Sequence, residues 1–358
     1  MNYLVTGGCG FIGSHLVKRL LKEGHNVAIL DNLSRPGSRE TQQELLRKYH
    51  PQVLVFNYDL HNGVDVGTAF DVMLHRWDKI DGVVHLAAQV AVTTSVRDPI
   101  ADMHSNIEGT VILLEQLKRL QNGPLLIFNS TNKVYGKLEQ VTLEQNPETK
   151  CYRPSNPKYM FGVREDEPLD FYSPYGCSKG AADQYVHDYN RIYGMPTTVL
   201  RCSCIAGTDQ YGVEDQGWVA WLTIAAMLRK QVNVYGDGNQ VRDVLNVDDL
   251  VDLYLMCFLN KDKVAGQVYN IGGGFRNQLS VNQLITMLKG LGFEFAVDYD
   301  DCRPGDQRWY CSYIEKITKA IAWEPLLRTE VTVERIVNWV SNNEGKIRTV
   351  LPKKVLNA

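Results

Sequence analysis

The sequence predicts an α/β protein, a doubly wound parallel sheet with a smaller C-terminal substrate-binding domain beside it. Three observations carry this. Short apolar segments at 2–6, 27–30, 53–56, 81–86 and 125–129 alternate with helical stretches, the pattern of parallel strands joined by crossover helices. The first segment runs straight into Gly7-Gly8-Cys9-Gly10-Phe11-Ile12-Gly13, a glycine-rich turn that opens a helix. Past a strand at 198–201 the alternation breaks and resumes only near 244, which leaves two chain segments to build a second unit. The expected division is 1–204, returning at about 244–275, for the sheet domain, and 205–243 with 276–345 for the smaller one.

Composition narrows the class. With 358 residues and 44% apolar content the chain can bury a sizeable core, in one large domain or two interlocked ones. A net charge of −3 leaves no basic excess to neutralise phosphates in bulk, which argues against nucleic acid or an anionic membrane as partner. No apolar run approaches the roughly 20 residues of a membrane span. The eight cysteines are scattered, and the one close pair, Cys202 and Cys204, lacks metal-site spacing. Met1 leads directly into a strand, with no charged-then-apolar leader. These features predict a soluble cytoplasmic protein with reduced thiols and no bound metal. Lys353-Lys354 near the end reads as a solvated tail.

The elements follow in order. After the strand Asn2–Thr6 and the glycine turn, a helix runs from about 14 to 22, and a second strand at 27–30 ends at Asp31. A strand, a glycine turn, a helix and an acidic residue 18 positions after the last glycine form the context in which such a turn binds a dinucleotide. Gly7 and Gly10 let the backbone approach a pyrophosphate. The helix start at Phe11 and Ile12 offers N–H donors and a positive dipole end. Asp31 would accept hydrogen bonds from an adenosine ribose and repel a 2′-phosphate, which favours NAD over NADP. Arg35 nearby could soften that preference and otherwise reads as a solvated loop residue.

The strand at 53–56 leads to Asp59-Leu60, from which a side chain can reach the adenine. The strand at 81–86 ends in His85-Leu86-Ala87-Ala88, where the small Ala87 and Ala88 let the cofactor's backbone lie close. His85, at a buried strand end, reads as a satisfied core histidine rather than a catalyst. A helix over 106–119 and a strand over 125–129 lead to Ser130-Thr131-Asn132-Lys133. Gly10, Asp31, Ala87 and Thr131 thus fall at the carboxyl ends of strands, where open α/β sheets bind ligands. From 137 to 172 the pattern dissolves into turn formers and charges, read as a functional lid or a poorly ordered stretch. The segment 268–271 returns to the sheet, and Gly272-Gly273-Gly274 reads as its exit rather than a second phosphate loop.

Tyr175 and Lys179 stand four residues apart on a predicted helix, so they share a face. A phenol titrates near 10, and working as a base near neutrality needs a shift of roughly 3 units, about 4 kcal/mol. One cation held at ~4 Å in a partly shielded site supplies that much, and Lys179 is such a cation. By itself a Tyr-x-x-x-Lys pair also occurs by chance on ordinary amphipathic helices.

Together these pieces resemble the extended short-chain dehydrogenase/reductase family of nucleotide-sugar enzymes. The resemblance spans nearly the whole chain: the glycine turn, Asp31-Asn32, Asp59, His85-Leu86-Ala87-Ala88, Asn106, Ser130-Thr131, Tyr175 and Lys179. Within the family it is most similar to the CDP-tyvelose (CDP-paratose) 2-epimerases. The blocks Gln89-Val90-Ala91-Val92, Ser130-Thr131-Asn132-Lys133-Val134-Tyr135-Gly136, the run from Asp170 to Tyr185, and Asp215-Gln216-Gly217-Trp218 carry that likeness.

The resemblance implies Thr131, Tyr175 and Lys179 as the catalytic set, with Asn32 and Asn106 joining the NAD-binding residues. It places Gln89, Thr131, Asn132 and arginines from Arg242, Arg303 and Arg308 on the nucleotide-sugar substrate. Arginine suits a diphosphate because its planar fork makes paired contacts. Dehydratases of the family carry Asp-Glu after that Thr for water elimination, whereas this chain has Asn132-Lys133. Cys204 stands where many relatives have a substrate-contacting Asn, and no role is carried over to it. Trp218 and Trp221 either wall the sugar pocket or pack in the core.

The expected reaction is inversion at C2 of a CDP-hexose by transient oxidation with retained NAD. The alternatives are a UDP-glucose-type 4-epimerase and a silent NAD-binding regulator. A homodimer built from helices near 105–120 and 175–193 is also implied.

Overall fold

The computed structural model of the chain describes residues 1–149, 151–303 and 305–351; Lys353-Lys354 lie outside the described residues. Its centre is a seven-stranded sheet. Five strands come early: β1 (Asn2–Thr6), β2 (Asn26–Leu30), β3 (Val53–Phe56), β4 (Gly82–His85) and β5 (Leu125–Thr131). Thr197–Cys202 and Gln267–Ile271 complete it, in the order Gln267–Ile271, Thr197–Cys202, β5, β4, β1, β2, β3, all parallel.

Alternation along each strand explains why both faces are covered. Tyr3 and Val5 of β1, Val27 and Ile29 of β2, and Ile127 of β5 pack with Leu16, Leu20, Leu250 and Tyr254, which belong to helices Phe11–Lys22 and Val247–Leu259. Leu4, Ala28, Leu30, Leu126 and Phe128 point the other way, against Val66, Phe70, Leu113 and Val186 of helices Gly63–Trp77, Gly109–Lys118 and Ser173–Tyr193. This is the doubly wound Rossmann-type architecture.

Three element bounds differ from the sequence reading, each for a local reason. The first helix begins at Phe11 rather than near 14, because Gly10 already serves as its N-cap. Helical structure in the next region starts at Pro99 and passes through a wider π-type turn at His104–Glu108 before Gly109–Lys118. β5 runs on to Thr131, so Thr131 is the last residue of a strand rather than part of the turn beyond it.

A second apolar cluster joins Trp221, Leu222 and Ile224 to Val232, Val234, Leu284, Leu288, Val333, Ile336 and Val340. Helix Trp218–Met227 is buried nearly all round within it. Small sheets flank it: Val232–Tyr235 with Val297–Asp300, and Cys204–Ala206 with Val241–Asn246 and Gln278–Ser280.

Over its described residues the stretch 137–172 is packed rather than irregular. It holds a hairpin, Leu143–Asn146 with Cys151–Pro154, and a core of its own. Tyr152, Tyr159 and Val163 pack there with Trp309, Tyr310 and Cys311. Backbone bonds from Tyr152 N to Asn239 O (3.0 Å) and Val163 N to Cys311 O (2.7 Å) pin it to two segments of the C-terminal half of the chain. Gly272 and Gly273 form the strand exit as expected: a Cβ on either would strike Asp243 or the Val244 carbonyl. All eight cysteines are free. Among the described residues no helix is long and apolar enough to cross a membrane.

Candidate active site

One cavity of about 870 Å³ runs along the carboxyl ends of the strands. At one side the glycine turn forms its wall. A Cβ on Gly13 would sit 2.2 Å from the Gly7 carbonyl oxygen, and one on Gly7 would sit 2.8 Å from the Ala87 nitrogen, so only glycine fits at both. No side chain caps the helix that starts at Phe11, which leaves its first-turn N–H groups facing the cavity mouth. Asp31 accepts from Cys9 N at 2.9 Å and Leu33 N at 2.8 Å. Burial pushes its carboxyl up, opposed by these backbone donors. A carboxylate has roughly four acceptor directions, so capacity for a diol remains. Asn32 donates to Asp59 at 3.1 Å, and both line the cavity with Leu60, Leu86, Ala87, Ala88, Phe11 and Ile12.

The expected catalytic trio meets in the same cavity. Thr131 ends β5, and Tyr175 comes from the first turn of helix Ser173–Tyr193, its backbone N–H held by Ser95 Oγ at 3.0 Å. Both Tyr175 and Thr131 line the cavity. Burial pushes the phenol up to about 12; the neighbouring Thr131 hydroxyl works against this, and Asp102 and Cys202 add to it.

The Lys179 ammonium donates to the Asn129 carbonyl at 2.6 Å and lies 4.1 Å over the Phe128 ring. Burial pushes it down to about 8, against the pull of Cys202, Asp183 and Asp102. The chain alone therefore holds both groups toward their neutral forms. His85 is a satisfied core residue, between Thr6 Oγ1 (2.7 Å) and Thr110 Oγ1 (3.0 Å).

The remaining candidates separate. Gln89, Asn132, Arg242 and Arg303 line the cavity, as do Cys204, Trp218 and Trp221. Arg242 pairs with Asp306 at 2.8 Å, and Arg303 stacks 3.8 Å over Tyr235 while reaching Asp215 at 3.2 Å. Arg308 does not line the cavity; it is exposed and stacks 4.2 Å over Tyr152 of the hairpin. Asn106 also stands outside the lining. It is buried and bridges Gln89 (2.9 Å), Asp102 (3.2 Å) and Ser178 (2.9 Å), tying the segment after β4 to the Tyr175 helix.

Several groups escaped the sequence reading. Arg35 is not a solvated loop residue: it lines the cavity, and its guanidinium donates to Gln216, with burial pushing its pKa down. Lys133 faces Asp306 at 3.4 Å, and burial pushes its ammonium down to about 8. Lys133 sits inside the block Ser130–Gly136, which is a signal the sequence offers, whereas Arg35 lies outside every such motif. Beneath the site, Arg201 and Asp183 make a buried two-pronged pair, both bonds at 3.0 Å, and Ser130 donates to the same carboxylate at 2.6 Å. Among the described residues no His, Cys, Asp and Glu groups cluster so as to hold a metal.

A parallel sheet with a glycine turn at its first crossover, and a Tyr-Lys-Thr set across one cavity from it, defines an enzyme of the nucleotide-dependent oxidoreductase-like class. The chain belongs to the NAD dependent epimerase/dehydratase family, whose model matches residues 3–272. It is 38% identical over 350 residues to the CDP-paratose 2-epimerase of Salmonella typhi, covering 96% of this chain and 100% of that one. Among solved structures it resembles a UDP-glucose 4-epimerase from Thermotoga maritima with UDP-glucose (TM-score 0.77, 32% identity, 96% and 100% of the two chains). It also resembles a UDP-glucuronic acid 4-epimerase from Bacillus cereus in complex with UDP-glucuronic acid and NAD (TM-score 0.79, 26% identity, 96% and 99%).

Proposed function

We propose that this protein is an NAD-dependent nucleotide-sugar epimerase that inverts C2 of a CDP-hexose of the paratose/tyvelose type. The observation that carries the reading is the continuity of one cavity from the glycine turn to Tyr175 and Thr131, with Asn132-Lys133 in place of an acid pair. The residues fit NAD: the glycine cradle is closed to any Cβ, the helix N-terminus is uncapped, and Asp31 keeps acceptor capacity. Gly7, Gly10, Phe11, Ile12, Asp31, Asn32, Asp59, Leu60, Leu86, Ala87 and Ala88 would hold it, with Tyr175 and Lys179 at its reactive end and Asn106 supporting from behind. When bound it supplies a hydride acceptor and a cationic ring.

A sugar C–H beside a free hydroxyl is too weakly acidic for direct deprotonation. Tyr175 as phenolate therefore takes the C2 hydroxyl proton as that carbon is oxidised to the ketone, and returns the proton to the oxygen after the sugar has turned its other face. Thr131 hydrogen-bonds the same oxygen. Lys179 holds the ribose. Gln89 and Asn132 face the sugar, and Arg242 and Arg303 take the diphosphate. Arg308 is outside this set. Because no elimination step is needed, the absence of an Asp-Glu pair after Thr131 is consistent with epimerisation.

In this reading 1–204 with about 244–275 carries the cofactor, and 205–243 with 276–345 the nucleotide sugar. The protein works in the cytoplasm as a homodimer. Exposed Ile100, Met103, Tyr185 and Ile192 on the helices around the Tyr175 segment support that assembly.

The test uses purified protein without added cofactor, incubated separately with CDP-paratose, CDP-glucose and UDP-glucose and followed by NMR. A C2-inverted product from a CDP sugar is expected. A C4-inverted product from UDP-glucose would make the 4-epimerase reading correct instead, and no product with NAD released on denaturation would favour the silent binder.

A further inference from the structure

The first helix does more than offer N–H donors. Phe11, His15 and Lys18 stand four and three residues apart, so they share one of its faces. Each meets one residue of a single segment of the smaller unit. The Phe11 ring lies 3.6 Å from where a Cβ on Gly207 would stand. His15 Nε2 donates to the Thr208 carbonyl at 2.9 Å, and Lys18 Nζ donates to Asp209 at 3.2 Å. From the other side Trp339 donates to Asp209 at 3.1 Å, and its ring meets Tyr211 edge to face with centroids 5.4 Å apart. Residues 207–211 are thus held between two helices.

Beyond this root the chain forms a short loop with a closed neck. Val213 and Gln216 exchange backbone bonds, both at 2.9 Å. Gly212 lies so close to Gly217 that a Cβ on it would stand 2.8 Å from the Gly217 carbonyl oxygen. The loop 213–216 therefore projects as a unit, and it reaches the turn that follows Asp31. The Tyr211 ring rests on Gly37, where an added Cβ would meet it at 2.5 Å, and Gln216 accepts from the Arg35 guanidinium. Arg35, Gly37, Tyr211 and Gln216 all line the cavity. On its other side the loop meets Arg303, which donates to the Glu214 carbonyl at 3.1 Å and pairs with Asp215 at 3.2 Å.

We propose that 207–217 is a strap across the cofactor end of the cavity, and that the bond between Arg35 and Gln216 is the latch that retains NAD while nucleotide sugars come and go. An epimerase must return the hydride it takes, so a cofactor lost between the two transfers would strand the ketone. The diphosphate, taken by Arg303 in the reading above, competes with Asp215 and frees that side of the loop. Gln216 stays on Arg35. The inference rests on that reading in that NAD is bound and retained.

The test measures how fast NAD leaves. Protein as purified, reloaded with NAD where a variant has lost it, is freed of unbound cofactor by gel filtration. It is then mixed with alcohol dehydrogenase and ethanol, which reduce each NAD as it is released, and NADH absorbance is followed. Gln216→Leu and Arg35→Met are each expected to release NAD about 10- to 100-fold faster than wild type, the worth of one hydrogen bond to a charged group. The double variant is expected to be no faster than the faster single one, because both remove the same bond. Gln216→Asn, shorter by one methylene, gives the same loss of reach if leucine unsettles the loop. Acceleration by Arg35→Met alone overturns the proposal, since Arg35 would then hold the cofactor directly. Acceleration by the Gln216 variants alone, or effects that multiply in the double variant, overturn it as well. Denaturing the wild type separates the two levels. If it yields no NAD, the reading of a retained cofactor fails and this inference with it; if NAD is present and every variant releases it at the wild-type rate, the strap alone is overturned.

Discussion

The Lys179 ammonium donates to the backbone carbonyl of Asn129 at 2.6 Å, a bond that fastens the Tyr175 helix to the end of β5. The same geometry takes the charge out of water, and the carbonyl, the Phe128 ring and the pull of Cys202, Asp183 and Asp102 offset this only in part. Its pKa is accordingly pushed down to about 8 by burial. Below pH 8 the folded chain carries a buried charge that an unfolded lysine, titrating near 10.5, holds in water. Between about 8 and 10.5 the unfolded state binds more protons, so this group's contribution to stability rises with pH across that window.

Lys179→Met should therefore make NAD-free protein more stable than wild type at pH 7, by up to about 3 kcal/mol. The gap should narrow as the pH approaches 10, and urea unfolding at several pH values measures it. A variant less stable at pH 7 would mean that the bond to Asn129 and the ring contact outweigh the desolvation.

Tyr175→Phe keeps the buried ring and removes only the phenolic oxygen. Bound NAD should be retained, while turnover falls by about 10²- to 10⁴-fold, the range for losing a positioned acid–base group. Near-normal turnover, measured beside the NAD content, would take Tyr175 out of the mechanism.

Arg242 and Arg308 look equivalent in the sequence, and their surroundings part them. Arg242 is largely buried in the cavity wall against Asp306, whereas Arg308 is exposed on the Tyr152 ring. Arg242→Ala should raise KM for the nucleotide sugar about 10- to 100-fold, the worth of charged hydrogen bonds to phosphate. Arg308→Ala should change KM by less than about threefold and stability by less than about 1 kcal/mol, as for an exposed cation–ring contact. Equal effects of the two would show that the substrate reaches beyond the cavity lining.

That contrast also shows what was legible beforehand. The sheet could be read because each strand's alternation is local: Leu4 and Val5 announce two faces within two residues. The glycine turn, Asp31, Thr131 and Tyr175 could be read because short spacings fix their geometry. The packed segment at 137–172 could not. Its turn formers conceal Tyr152, Tyr159 and Val163, whose partners Trp309, Tyr310 and Cys311 lie about 150 residues away. Arg35 was illegible for a similar reason, since a single polar residue carries no sign of which distant backbone or side chain it will face.

Asp183 and Arg201 belong to the same illegible class and carry a large energetic consequence. The carboxylate is fully buried on the Tyr175 helix, the guanidinium nearly so on strand Thr197–Cys202, and two bonds of 3.0 Å join them. Arg201 also donates to the Tyr135 hydroxyl at 3.0 Å, which in turn donates to Asn270 at 2.8 Å. The network thus links the helix to the inner strands and to the turn that follows Thr131. Asp183→Leu would leave the guanidinium buried without its counter-charge, and stability should drop by about 3–5 kcal/mol. Because Ser130 loses its acceptor as well, the neighbouring Thr131 should be less well held and turnover should fall too. The double variant Asp183→Leu/Arg201→Met removes both charges and should recover most of the lost stability in urea unfolding, since the loss in the single variant comes mainly from the unpaired charge. A double variant as unstable as the single one would instead assign the loss to packing beneath the helix.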